Sequence, residues 1–132
     1  MRGRRKTLRI SEAEWSIMKV QWDNAERTEA GMTLGEIVQK LAEPTGWSDT
    51  TIRTLIIRLA EKNAVSIDKT SGVYKYTANT PKDECVKYEV DSFVKRVFND
   101  SKYDLMASLV EECELTEEQK RKIYEIISTI KD

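Results

Sequence analysis

Residues Trp47 to Leu59 read W-S-D-T-T-I-R-T-L-I-I-R-L. Ser48 carries the side-chain acceptor that a starting helix needs for its unpaired amides, and Asp49 places negative charge in the first turn. Beyond that cap, Ile52, Leu55, Ile56 and Leu59 recur at the i, i+3, i+4, i+7 spacing of a single buried stripe. Thr50, Thr51, Arg53, Thr54 and Arg58 fall mainly off the stripe, and no carboxylate follows until Glu61. A face of hydroxyls and guanidiniums suits nucleic acid, because Arg pairs with guanine or phosphate and Thr offers base edges both a hydroxyl and a methyl. A merely solvated face would carry more Lys and Glu and fewer Thr, a weak helix former. Taken alone, the stretch leaves both readings open.

Its neighbours upstream narrow the choice. S-E-A-E at Ser11 to Glu14 is a capping box, and Trp15, Met18, Val20 and Trp22 give a first helix ending near Asp23. The polar segment Asp23 to Met32 reads as a loop. A second capping box, Thr33 to Glu36, opens a short helix marked by Leu34, Ile37, Val38 and Leu41 and closed by Pro44 and Gly46. Two helices joined by so brief a link, the second faced with Thr and Arg, predict a helix-turn-helix in which the first braces and the second reads.

Downstream, Asn63 is placed to end the reading helix in the left-handed conformation. Val65 and Ile67, then Val73 and Tyr76, form two strand-like runs around Thr70 to Gly72, a hairpin signal. Three helices and a small hairpin make a winged helix. On the hairpin Lys69, Tyr74 and Lys75 are candidates for phosphate contact, while Tyr74 and Tyr76 are equally readable as strand-stabilising aromatics. Ser48 and Arg58 are expected at the backbone too, as are Arg4 and Arg5 of the basic start M-R-G-R-R-K-T-L-R, although short basic termini are often inert.

Thr77 to Thr80 reads as a boundary, with Thr80 as N-cap and Pro81 at the first helical position. Beyond it a long stripe contains Val86, Val90, Phe93, Val94, Val97 and Phe98, interrupted by Asn99 and Asp100. A fifth helix carries Leu105, Met106, Leu109, Val110 and Cys113, and the capping box Thr116 to Gln119 opens a last one with Ile123, Ile126, Ile127 and Ile130. Three helices in so short a segment bury too little alone, so this half is expected to complete its core against a second copy. The expected interface is Val90, Phe93, Val94, Val97, Phe98, Leu105, Leu109, Ile123, Ile127 and Ile130. The predicted architecture is thus mainly α with a small β-hairpin wing: a winged-helix DNA-binding domain over residues 1–78 and a three-helix dimerisation domain over 79–132.

Composition limits the alternatives. The chain has 132 residues, 39% hydrophobic and 34% charged, with a net charge of −1. Through Tyr76 there are 13 basic against 10 acidic residues, net +3; the remainder has 9 against 13, net −4. That asymmetry fits a nucleic-acid module joined to an assembly module. The chain contains no His, which removes the commonest general base, nucleophile activator and imidazole ligand. No nucleotide, hydrolase or metalloprotease motif occurs, so no catalytic residue, metal ligand or cofactor is expected. The absence of an apolar run near 18 residues and of a signal-peptide core leads to the expectation of a cytoplasmic protein without membrane insertion. Cys85 and Cys113, widely spaced, are expected as two buried, reduced thiols.

The residues I-S-E-A-E-W-S-I-M-K-V at the first helix and G-W-S-D-T-T-I-R-T-L-I-I-R-L at the third resemble the penicillinase repressor family, which includes repressors of β-lactamase, methicillin-resistance and copper-transport genes. S-F-V-K-R-V-F near Ser92 and L-V-E-E-C-E-L-T near Leu109 extend the likeness over almost the whole chain. The resemblance implies a homodimeric winged-helix transcriptional repressor that binds double-stranded palindromic operator DNA of the TACA/TGTA kind and lets go on a signal. It places base reading on Thr50, Thr51, Arg53 and Thr54, with Thr50 standing where many members of the antibiotic branch have Lys. It also implies a sensor protease as inactivating partner, but Ser108-Leu109 replaces the family's Asn-Phe scissile pair. The copper branch's paired Cys-x-Cys motifs are absent. Two readings of other classes stand beside this one: a winged-helix protein-interaction module, and a thiol- or metal-responsive sensor using Cys85 and Cys113.

Overall fold

The computed structural model of the chain describes residues 9–130. Six helices and one hairpin follow in the order α1 (Glu12–Ala25), α2 (Leu34–Thr45), α3 (Asp49–Glu61), β1 (Val65–Asp68), β2 (Lys75–Ala78), α4 (Lys82–Phe98), α5 (Lys102–Glu112) and α6 (Glu117–Thr129). They group into two compact units, one ending at Glu89 and one beginning at Val90.

The first unit is a winged helix. All three predicted capping boxes close reciprocally: Ser11 with Glu14, Thr33 with Glu36, and, in the second unit, Thr116 with Gln119. Each satisfies two otherwise orphaned amides from within four residues of chain, which is why a local sequence pattern finds them. Ile17, Met18 and Trp22 of α1, Ile37 and Leu41 of α2, and the full α3 stripe of Ile52, Leu55, Ile56 and Leu59 meet in one core with Val65 and Tyr76 of the hairpin. Fully burying side chains of this size contributes about 1.5–3 kcal/mol each, which fixes which face of α3 turns inward.

α2 runs one residue past Pro44 rather than stopping at it, ending at Thr45. Proline cannot donate to the carbonyl four residues back, and the end is secured instead by Gly46, at φ +75°, whose amide donates to Ala42 O at 2.8 Å. Only Gly adopts that backbone without a Cβ penalty, so the chain reverses into Trp47 and Ser48 at once. Asn63 ends α3 at φ +67°, as its position predicts. α4 begins at Lys82; Thr80 lies outside it, buried, and its carbonyl accepts the Trp22 indole N–H at 2.9 Å.

The hairpin pairs Val65 with Ala78 through Asp68 with Lys75. Val73 and Tyr74, read from sequence as strand, lie instead in the connecting loop and are exposed. The polar segment before Met32 is not simply a loop. Met32 and Tyr76 exchange both backbone hydrogen bonds, at 2.9 and 2.7 Å, so a short third edge joins the hairpin. Gly31 lets the two backbones approach: a Cβ there would stand 2.9 Å from Tyr76 O and 2.7 Å from Thr77 Oγ1. Gly31→Ala is therefore expected to lower stability by about 1–3 kcal/mol, the usual cost of overpacking. A denaturation midpoint equal to that of the parent chain would mean that the edge moves aside freely.

One buried charge ties α1 to α3. Glu14, 2% exposed, uses Oε1 both for the Ser11 amide, at 2.9 Å, and for the ammonium of Lys62, the C-cap of α3. Lys62 also donates to Arg9 O at 2.9 Å. A buried carboxylate holds its charge only when paired in this way.

In the second unit Val94 is buried, Phe93 and Phe98 meet edge to face at 5.8 Å, and Asn99 and Asp100 turn the chain with φ of 52° and 68°. α5 and α6 bury no residue. Val90, Phe93, Val97, Leu109, Ile127 and Ile130 stand exposed, whereas Phe98, Leu105 and Ile123 are half-buried. Val94, expected at the interface, has almost no surface to offer a partner, since its side chain is already buried within the chain.

Candidate nucleic-acid interface

With the stripe of α3 committed to the core, its opposite side is presented outward: Thr50, Thr51, Arg53, Thr54 and Arg58 are all exposed. Only Gly46, Trp47 and Ser48 separate α2 from α3. The Ser48 hydroxyl is engaged locally. It accepts the Thr51 amide and donates to Thr51 Oγ1, both at 3.2 Å, so its share in the site is to fix the first turn. Thr54 donates its hydroxyl hydrogen to Thr50 O at 2.9 Å, which leaves Thr54 able to meet a base edge as an acceptor and through its methyl. Neither guanidinium of Arg53 and Arg58 has a hydrogen bond or ion pair among the described residues. Five free N–H donors on each are thus available to a partner.

The wing separates the two tyrosines that sequence left undivided. Tyr76 is buried in the core, while Tyr74 is exposed with the Lys69 ammonium 5.2 Å from its ring centroid. Lys75 sits opposite Asp68 in the ladder. The Asp68 carboxyl is held below its ordinary value, first by the Thr70 amide at 2.9 Å and hydroxyl at 2.7 Å, then by the Lys75 charge. This carboxylate, in the last pair of the ladder before the connecting loop, offsets the charge of Lys75. Arg4 and Arg5 lie outside the described residues.

The two thiols differ. Cys85 belongs to the core of the first unit, and burial, with a smaller contribution from Glu84, pushes its thiol up to about 11. Cys113, expected to be buried as well, is exposed instead, because it caps α5, a helix that buries no residue. Since the thiolate is the nucleophile, a maleimide at pH 8 is expected to label Cys113 and spare Cys85 until the chain is unfolded. Equal labelling of both in the native protein would contradict the packing of α4. The raised value also sets a sign: this site's contribution to stability is intact below the ordinary thiol value of 9.0 and is lost as pH rises from there through 11. Among the described residues no group of three or more His, Cys, Asp or Glu is placed to hold a metal, and no helix is long and apolar enough to cross a membrane.

Sequence reasoning missed one member of the exposed face. Ile57 is 42% exposed on α3, one turn beyond Arg53. The signal was an aliphatic residue off the buried stripe.

Comparison with known proteins adds an independent line. The penicillinase repressor of Bacillus licheniformis is 27% identical over 97% of this chain and 96% of its own length. The methicillin resistance regulatory protein MecI of Staphylococcus aureus (strain N315) is 26% identical over 93% and 96%. Among solved structures, the Bacillus licheniformis BlaI monomeric form in complex with the blaP half-operator is 32% identical, covering 58% of this chain and 87% of that one, with a TM-score of 0.49. The sequence pattern described as penicillinase repressor matches residues 10–129, nearly the whole of both units, and the chain belongs to that family.

Proposed function

We propose that the protein is a sequence-specific transcriptional repressor that binds a palindromic operator of the TACA/TGTA type as a homodimer and is released by a signal. The observation that carries this reading is the outward face of α3, where two guanidiniums unpaired among the described residues flank threonines and no acid intervenes before Glu61. Arg53 makes the principal base contact and Thr50, Thr51 and Thr54 make shorter ones, since bidentate Arg is the strongest reader of a major-groove edge. Arg58, Lys69, Tyr74 and Lys75, with Arg4 and Arg5, hold the backbone; Ser48 orients the helix start.

The exposed apolar face of the second unit supports self-association. α5 and α6 bury nothing within one chain, and so many exposed apolar side chains on an otherwise charged protein mark an interface. A two-fold dimer presents two reading helices to two half-sites. The sensor protease suggested by family likeness would meet Ser108-Leu109 inside α5; cutting there requires that turn to unwind first, because a peptide bond in an intact helix is not presented as extended chain.

The test is a titration of the purified protein against a duplex carrying an inverted TACA/TGTA repeat and against a scrambled duplex, over a range of salt. Preference of about 10³-fold or more is expected, with log affinity falling by about 0.9 per phosphate neutralised for each decade of salt. Equal retention of both duplexes would sink the reading.

A further inference from the structure

We infer that Ile57 is a specificity-determining residue that reads the C5-methyl group of a thymine in the operator's major groove. The inference rests on the reading of α3 as a DNA-recognition helix and extends it to a residue with no polar group at all. Ile57 is not needed by the core: Ile52, Leu55, Ile56 and Leu59 complete the buried stripe, each no more than 6% exposed, while Ile57 remains 42% exposed on the opposite side. At about 100° per residue, Thr50, Thr54 and Ile57 fall within about 60° of one another, with Arg53 on one flank and Arg58 on the other. Ile57 therefore stands between the two guanidiniums, in the middle of the face that meets the groove floor.

The chemistry of that position is selective. A β-branched aliphatic costs helix propensity relative to Ala, Lys or Glu and gains nothing from water. Among base edges in the major groove only thymine offers an apolar group, its methyl; the others present donors and acceptors that an isoleucine would leave unpaired. Thr54, three residues earlier on the same face, has its hydroxyl hydrogen occupied by Thr50 O and contributes a second methyl beside it. The rise from Thr50 to Ile57 is about 10 Å, matching about three base pairs at 3.4 Å each. Glu61, one turn further along the same line and exposed, would face phosphate or base acceptors unfavourably and so bounds the reading face.

The test replaces each thymine of the inverted TACA/TGTA duplex in turn by deoxyuridine, which deletes the methyl and leaves every hydrogen-bonding group in place. Titrations compare the unaltered protein with Ile57→Ala, an exposed substitution that favours the helix. One thymine position is expected to weaken binding of the unaltered protein by about fourfold when demethylated, the factor that burial of one methyl carries, and to have no effect on Ile57→Ala. The inference is overturned if demethylation costs both proteins the same factor, or if no thymine is felt. If the duplex remains bound in preference to a scrambled one and depends on Arg53, the recognition helix stands and only the role of Ile57 falls. Loss of that preference in the unaltered protein overturns both.

Discussion

The double substitution Ile127→Asp and Ile130→Asp is expected to leave a monomer whose winged-helix unit stays folded and to weaken binding to a two-half-site operator by about 10²–10⁴-fold, the gain that linking two sites supplies. Both isoleucines are more than half exposed in the single chain, at 56% and 66%. Burying each against a second copy is worth about 1.5–3 kcal/mol, and aspartates there would forfeit that gain and add the cost of burying unpaired charge. The helix itself does not depend on them. α6 buries no side chain, is opened by the Thr116 and Gln119 capping box, and is braced on its polar side by Arg121, which bonds Glu118 at 2.8 Å and Glu125 at 2.7 Å. Affinity for a duplex with one half-site is expected to be unchanged, since the reading face belongs to the other compact unit. Sedimentation equilibrium on the variant, alongside titrations of full and half operators, checks the pair of outcomes. A dimer of normal operator affinity would place the interface elsewhere.

Arg53→Ala should cost about 1–3 kcal/mol per half-site and relax discrimination at one base pair. Nothing in the fold offsets this loss or confuses it, because Arg53 has no intramolecular partner among the described residues and alanine is the better helix former. Arg58→Ala and Lys69→Ala are expected to behave differently, weakening all duplexes evenly and reducing the salt slope by about 0.9 for each phosphate contact removed. Titrations of each variant against the dyad and its single-base variants, at two salt concentrations, separate reading from holding. Uniform weakening by Arg53→Ala across sequences would make it a backbone contact.

What was legible in the sequence was local. Capping boxes, the α3 stripe and the left-handed Asn63 are decided within a few residues by hydrogen bonds and periodicity, and they appear where expected. What was missed depends on partners distant in the chain. Met32 joins the hairpin because Tyr76 lies across from it, and nothing near Met32 announces that edge. Glu14 and Gln21 are polar yet buried on α1, Glu14 because Lys62 reaches it from the end of α3. Val73 and Tyr74 have strong strand propensity, but the ladder ends at Lys75 and they remain in the loop of the wing. On the outward face of α3, polar chemistry singles out Thr50, Thr51, Arg53, Thr54 and Arg58, whereas it passes over Ile57 because an aliphatic residue in a helix is ordinarily assigned to the core. Its place off the stripe and its exposure together separate it from the core residues.

Selection of duplexes from a random-sequence pool by the purified protein, run in parallel with Arg53→Ala, tests most directly whether the outward face of α3 reads DNA. The expected result is enrichment of an inverted repeat by the unaltered protein and loss of one or more specified positions from that repeat by the variant. Recovery of no common sequence, or of the same sequence by both proteins, would contradict it.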